Sequence, residues 1–363
     1  MKLLLYIFIF STLNPILAQE VDRKTLPVRG LAIAAPDQES LERFLTFIEE
    51  ELAPNGINTL VLRIDYRYQY QSHPELVLDG ALSEAQVKSL VKVCQKHQIA
   101  IIPQINLLGH QSWHSTASKL LQVYPEFDET PSVELPEKYE WPNEDKLYCK
   151  SYCPLHPEVH KIVFDLVDEI IEVFEADAFH AGMDEVFYIG EDECPRCSGR
   201  SKAELFAQEV TKIRNHLAST GKRLWIWGDR LIDGKATGIG MWEASMNNTH
   251  QAIDLIPKDV FICDWHYERL DLTAVLFAAK GFDVVTCPWR KADLSDKQWE
   301  QMQQFRVSTT ATMANHFNGM LQTVWTSAGN FMDLYYGDKP NKDPNGNQAA
   351  CFKAFLEKAS KYQ

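Results

Sequence analysis

Eight short apolar runs, each followed by a helical pattern or a long connection, constrain this chain more than any other feature. They are Arg29 to Ala35, Asn58 to Asp65, Ile99 to Leu107, Ala178 to Glu185, Leu224 to Asp229, Val260 to Trp265, Phe282 to Trp289 and Gly319 to Trp325. They are nearly continuous in Val, Ile and Leu, as strands buried on both faces must be. Between them, apolar residues recur at helical spacing. Leu41, Phe44, Leu45, Ile48 and Leu52 share a face behind Asp37, a candidate N-cap. Ser83 with Gln86, and Ser201 with Glu204, have the spacing of capping boxes. Such alternation predicts an α/β protein, a (β/α)8 TIM barrel in one domain. An open, doubly wound sheet shares the alternation and is the alternative. Helix signals are weak between Leu231 and Lys258 and after the eighth run. The stretch from Gly109 to Leu155 is long and irregular, and loops of that length usually carry function.

The N-terminus reads as a secretory signal peptide over residues 1–18. Lys2 precedes the apolar Leu3 to Phe10, and Ala18 offers a small residue for cleavage. The apolar stretch is short for a membrane anchor and is broken by Ser11, Asn14 and Pro15. The expected mature domain is 19–363, secreted or periplasmic, and no later stretch is apolar enough to span a bilayer. A formal net charge of −14 argues against nucleic acid as a partner, because that requires a basic face.

In a barrel of this kind, chemistry collects at the C-terminal ends of the strands. Those ends read Asp65, His110, Asp184 with Glu185, Trp227 with Asp229, Trp265, Trp289 with Arg290, and Trp325. Glu243 is a further polar residue at the rim. Two adjacent acids at the end of an apolar strand can divide acid and base roles if their surroundings separate their pKa values. That division is the usual chemistry of glycosidic cleavage. The pair could equally form structural ion pairs. Four tryptophans at successive strand ends offer flat apolar faces suited to a pyranose ring, or else cap the barrel core.

Taken in order, these residues resemble the catalytic barrel of glycoside hydrolase family 20, the β-N-acetylhexosaminidases. His180-Ala-Gly-Met-Asp184-Glu185 fits the family's strand-four motif, Arg29-Gly30 its strand-one opening and Gly109-His110 its Gly-His after strand three. Trp227, Trp265, Pro288-Trp289 and Trp325 match its later strand ends, so the similarity covers roughly Arg29 to Trp325. The resemblance implies a retaining, substrate-assisted hydrolysis without a catalytic cofactor. The substrate would be a glycan containing an N-acetylhexosamine. Glu185 would be the general acid and later the base. Asp184 would stay ionised and hold the acetamido N–H. Arg29 would bind sugar hydroxyls, and His110 would orient the acid pair. Asp65 is a candidate charge partner or sugar contact. Two positions depart from the family. Arg290 stands where a Tyr normally holds the acetamido oxygen, and Thr326-Ser327 stand where a Glu normally binds the outer hydroxyls. Tyr267 or Tyr188 could supply the missing hydroxyl, and Arg290 could greet an anionic sugar. A sugar-binding barrel without catalysis, and a glycosidase for sugars lacking the acetamide, are the alternative readings.

Eight cysteines remain. Cys94, Cys263 and Cys287 lie in apolar segments and read as buried thiols. Cys351 falls in a C-terminal helix and suggests no role. Cys149, Cys153, Cys194 and Cys197 form two close pairs that suggest either a structural zinc site or disulfides at the active-site rim.

Overall fold

The computed structural model describes residues 23–143 and 148–362, so the expected signal peptide, 1–18, lies outside the described residues. Eight parallel strands close into a barrel: β1 (Val28–Ala34), β2 (Thr59–Arg63), β3 (Ala100–Leu107), β4 (Ala178–Gly182), β5 (Arg223–Trp227), β6 (Phe261–Trp265), β7 (Val284–Cys287) and β8 (Phe317–Thr323). Each pairs with its chain neighbour, and β8 returns to β1 with Val28 opposite Gly319. That closure rules out the open sheet and makes the fold a TIM barrel.

Alternation along each strand sends one set of side chains inward. Ala32, Val61, Ile102, Trp225, Phe261, Val285 and Leu321 pack the interior, with Trp225 and Phe261 stacked at 3.8 Å near its floor. The opposite faces, including Leu31, Leu60, Leu62 and Ile101, join a larger shell beneath the helices. Helix α1 (Glu84–Lys96) starts in a complete capping box, Ser83 with Gln86, and buries Val87, Leu90, Val91 and Cys94. Helix α2 (Val159–Phe174) is apolar along one broad stripe and packs behind β3 and β4.

Three local expectations change. Asp37 accepts from the backbone N–H and hydroxyl of Ser40, and it is Ser40 that occupies the cap of the helix Leu41–Phe47. Ser201 accepts from Glu204 N before helix α3 (Lys202–Ser219), which is half of a capping box. After β5 the described helical pieces are short, Gly234–Thr237 and Thr249–Asp254, in keeping with the weak signal there. After β8 come two real helices, Ala328–Tyr336 and Gln348–Ala359. Among the described residues no helix is long and apolar enough to cross a membrane.

Candidate active site

The acid pair sits one step beyond β4, on backbone that bends sharply. Gly182, Met183 and Glu185 have φ values of 67°, 69° and 50°. Asp65, Leu108 and His110, just past β2 and β3, are also left-handed. Left-handed backbone at residues other than glycine is strained and must be held by its surroundings. Here the holding is tight. A Cβ on Gly109 would lie 2.7 Å from the carbonyl oxygen of Asp184, so only glycine lets the β3 loop approach the acids this closely.

His110 joins the two carboxylates. Its Nε2 lies 3.2 Å from Asp184 Oδ2 and 3.3 Å from Glu185 Oε2. Burial opposes a charged imidazole, but Asp184 outweighs it and holds His110 well above its ordinary pKa. Burial likewise disfavours an ionised Asp184, and His110 more than offsets that, so the carboxyl falls below its usual range. The pair is therefore imidazolium and carboxylate at neutral pH. Asp184 Oδ1 is buried and has no protein partner.

Asp229 anchors the site from β5. Its Oδ2 accepts from Glu185 N at 2.9 Å and Arg230 Nε at 2.6 Å, while its Oδ1 accepts from the indole of Trp265 at 3.2 Å. One carboxylate thus ties the acid turn to the tryptophan ring. Burial pushes Asp229 up to about 6, helped by Asp184 and resisted by Arg230.

Three of the four tryptophans converge around one tyrosine. Tyr267 stacks on Trp265 at 4.8 Å and meets Trp289 edge-on at 5.2 Å. Its hydroxyl accepts from the Trp325 indole at 2.8 Å. Trp227 lies beneath, 5.7 Å from Trp325 and 4.5 Å from His180, and its buried Nε1 has no protein partner. His180 is a floor residue. Burial lowers it to about 3, so it is neutral, and its Nδ1 accepts from Gly182 N.

Several sequence-derived candidates fall elsewhere. Arg29 lies at the opposite, N-terminal end of the barrel, donating to the carbonyls of Leu26 and Gly56, so the structure does not bring it to the acids. The arginine that does stand here is Arg63, at the end of β2. Its guanidinium lies 5.1 Å over the ring of Trp325 and 4.0 Å from Asp65. Its place two residues after inward-facing Val61 was the available signal. Arg290 stacks on Trp289 at 4.1 Å, and its amino groups are taken by Asp343 and Glu268. With both amino groups paired it braces the tryptophan, while its buried Nε has no protein partner. Asp65 accepts from Asn106 N at 2.8 Å and so links the ends of β2 and β3. Glu243 accepts from Tyr267 N at 3.1 Å and meets His266 at 2.9 Å, supporting the β6 loop from behind. Tyr188 follows Phe187 in the β4 loop.

An aromatic wall over Glu185 was not foreseen. Tyr148 meets Trp242 at 4.8 Å and Phe187 at 5.7 Å, and Trp141 meets Trp242 at 5.3 Å. These residues come from three different loops, so no single stretch of sequence announces them.

The cysteines separate. All eight are buried and free. Cys149 turns towards the acid turn, its thiol 3.6 Å from the carbonyl oxygen of Glu185. Cys153, Cys194 and Cys197 gather with Glu129 instead, so the expected group of four loses Cys149 and gains a carboxylate.

The sequence profile of the glycosyl hydrolase family 20 catalytic domain matches residues 62–351. A β-hexosaminidase of Emericella nidulans is 23% identical over 287 residues, which cover 73% of this chain and 43% of that protein. Hexosaminidase D of Bos taurus is 24% identical over 190 residues, covering 49% and 48%. The solved exo-β-N-acetylglucosaminidase of Vibrio harveyi superposes with a TM-score of 0.62 at 16% identity, over 92% of this chain and 54% of that one. This chain therefore spans less than half the length of these two relatives, and the structural match speaks for the fold.

Proposed function

Since this chain belongs to glycosyl hydrolase family 20, we propose that it cleaves the glycosidic bond of a β-linked N-acetylhexosamine by substrate-assisted hydrolysis. The observation that carries the reading is Asp184. One of its oxygens is held by His110, while the other is buried and unpartnered, as an acceptor reserved for a substrate N–H would be. An acetamido N–H bonded there would turn the acetamido oxygen towards the anomeric carbon. That oxygen attacks as the leaving oxygen takes a proton from Glu185. The positive charge of the cyclised intermediate then rests beside ionised Asp184. Water, deprotonated by Glu185, opens the ring and restores the acid, so the anomeric configuration is retained.

The departures from the family pattern find local substitutes. The Tyr267 hydroxyl accepts from Trp325, which leaves its own proton to donate to an acetamido oxygen. Arg63, beside Trp325, takes the sugar-hydroxyl role first assigned to Arg29. The N-terminal segment supports export, and a purified mature chain beginning at Gln19 would bear that out.

Aryl β-N-acetylglucosaminide and β-N-acetylgalactosaminide test the proposal directly. The wild-type chain is expected to release the aryl group, and Glu185→Gln to lower kcat by about 10³-fold. Equal release from aryl sugars lacking the acetamide would overturn substrate assistance. Binding with no release by the wild type would favour a non-catalytic sugar-binding barrel.

A further inference from the structure

The loops after β3 and β4 meet a second time, away from the acids, in a dry cluster of metal-ligating side chains. Cys153, Cys194, Cys197 and Glu129 are each at most 1% exposed. Cys153 Sγ lies 3.4 Å from Cys194 Sγ and 3.4 Å from Cys197 Sγ. One donor atom from each of the four residues lies within 4.8 Å of all the others.

The backbone is built to place them. An antiparallel bridge between Asp128 and Tyr152 pairs Glu129 with Ser151 and Phe127 with Cys153, so Glu129 and Cys153 flank the bridge diagonally on one face, with Cys153 N donating to Phe127 O and Glu129 N to Ser151 O. Cys194-Pro-Arg-Cys197 supplies two sulfurs from one turn, closed by Ser198 N donating to Cys194 O. Glu129 Oε1 accepts from Gly190 N at 2.8 Å and Glu191 N at 3.3 Å. Those contacts orient the carboxylate as an outer-shell partner orients a metal ligand. Its other oxygen, Oε2, is buried and makes no hydrogen bond of ordinary geometry, although the Cys194 thiol lies beside the carboxylate.

A buried carboxylate oxygen with no donor is costly, and thiols are weak donors. A cation would satisfy the oxygen and all three sulfurs together. A tetrahedral zinc with Zn–S bonds of about 2.3 Å sets its sulfurs about 3.8 Å apart. The observed separations approach that value and are far from the roughly 2.05 Å of a disulfide. We propose that Cys153, Cys194, Cys197 and Glu129 hold a structural zinc ion that pins the β3 and β4 loops together. The site touches both flanks of the acid turn. Glu129 holds Gly190 and Glu191 shortly after Glu185, and Cys153 lies four residues beyond the Cys149 that meets the Glu185 carbonyl. This inference does not depend on the hydrolase reading, because its readout is metal.

The test uses the whole chain, reduced and reconstituted with zinc chloride, then freed of excess metal. Elemental analysis is expected to find one zinc per chain, and all eight thiols are expected to titrate after denaturation in chelator. Cobalt(II) in place of zinc should give thiolate-to-metal absorption in the near ultraviolet. Glu129→Gln, almost identical in shape, should weaken zinc retention by at least about tenfold. Cys149→Ser should keep its full equivalent. Less than about a tenth of an equivalent in the reconstituted wild type would overturn the site. So would a disulfide joining any two of Cys153, Cys194 and Cys197 in the protein as it is exported. Loss of zinc from Cys149→Ser as complete as from Glu129→Gln would overturn the ligand set.

Discussion

The two ends of the barrel use the same kinds of residue to different effect. At the N-terminal end, Arg29 spends its donors on the carbonyls of Leu26 and Gly56. Arg223 pairs with Asp283 at 2.7 Å, donates to Asp259 O and lies over Phe261. At the C-terminal end, Arg63 lies over Trp325 in the same manner, yet its carboxylate neighbour Asp65 stands off at 4.0 Å. The backbone differs in parallel. Left-handed residues near the N-terminal end, Gln98 and Glu175, finish helices, where that conformation is common. Those at the other end follow strands and carry the acids themselves. A polar group that is fully matched stabilises the fold; one held in place but left short of partners is ready for a ligand.

The sharpest way to break this contrast is Asp184→Asn. If the free Oδ1 awaits substrate, kcat on aryl N-acetylglucosaminide should fall by about 10²–10³-fold in a chain that still folds, with a lower melting temperature from the lost ion pair with His110. An unchanged kcat together with that loss of stability would make the acid a structural member like those at the other end. Gly109→Ala comes next. Its new methyl would meet the Asp184 carbonyl at 2.7 Å and push the acid turn outward. A misplacement of that order should cost about 10²-fold in kcat, measured on the same substrate. An alanine variant of wild-type activity would show that the close approach of the two loops is not needed.

How much of this was legible follows the same division. The strands and the residues at their ends were readable, because continuous apolar runs mark strands buried on both faces and the barrel rule gathers their ends at one face. Asp184, Glu185, His110 and the tryptophans were placed together that way. What could not be read was partnership. Arg29 and Arg290 look available in sequence, and only folding matches them with Leu26, Gly56, Asp343 and Glu268. The exchange of Cys149 for Glu129 in the cysteine cluster has the same cause. It depends on a bridge between Asp128 and Tyr152, and no spacing rule announces a pairing across a long irregular loop.

The two arginines sharpen the comparison within one experiment. Arg63→Met should raise KM about tenfold, because a charged hydrogen bond to the sugar is lost, and should leave stability nearly unchanged. Arg29→Met should do the reverse. Two carbonyls lose their donor, which costs about 1–3 kcal/mol in denaturant unfolding, while kcat/KM stays within about twofold. Opposite results would remove the sugar contact from Arg63.

The smallest expected effect is a pH dependence set by Asp229. Its folded-state pKa, about 6, lies above the 3.8 of an ordinary aspartate. Protonation is thus easier in the folded chain. The stabilisation this gives is complete below about pH 4 and disappears as pH rises through about 6. Activity should run the other way. The ionised carboxylate accepts from Glu185 N, Arg230 Nε and Trp265 Nε1, and a proton on it removes one of those acceptor positions. One unit below its pKa about a tenth of the carboxylate remains, so the acid side of the pH–rate profile should bend near 6. Asp229→Asn cannot titrate. It should lose that bend while running several-fold slower across the whole range, and its unfolding free energy should lack the decline that Asp229 gives wild type between pH 4 and 7. A bend that persists unchanged in Asp229→Asn would move the titration to another group, and the carboxylate beneath the acid turn would then belong with the fully matched residues of the opposite end.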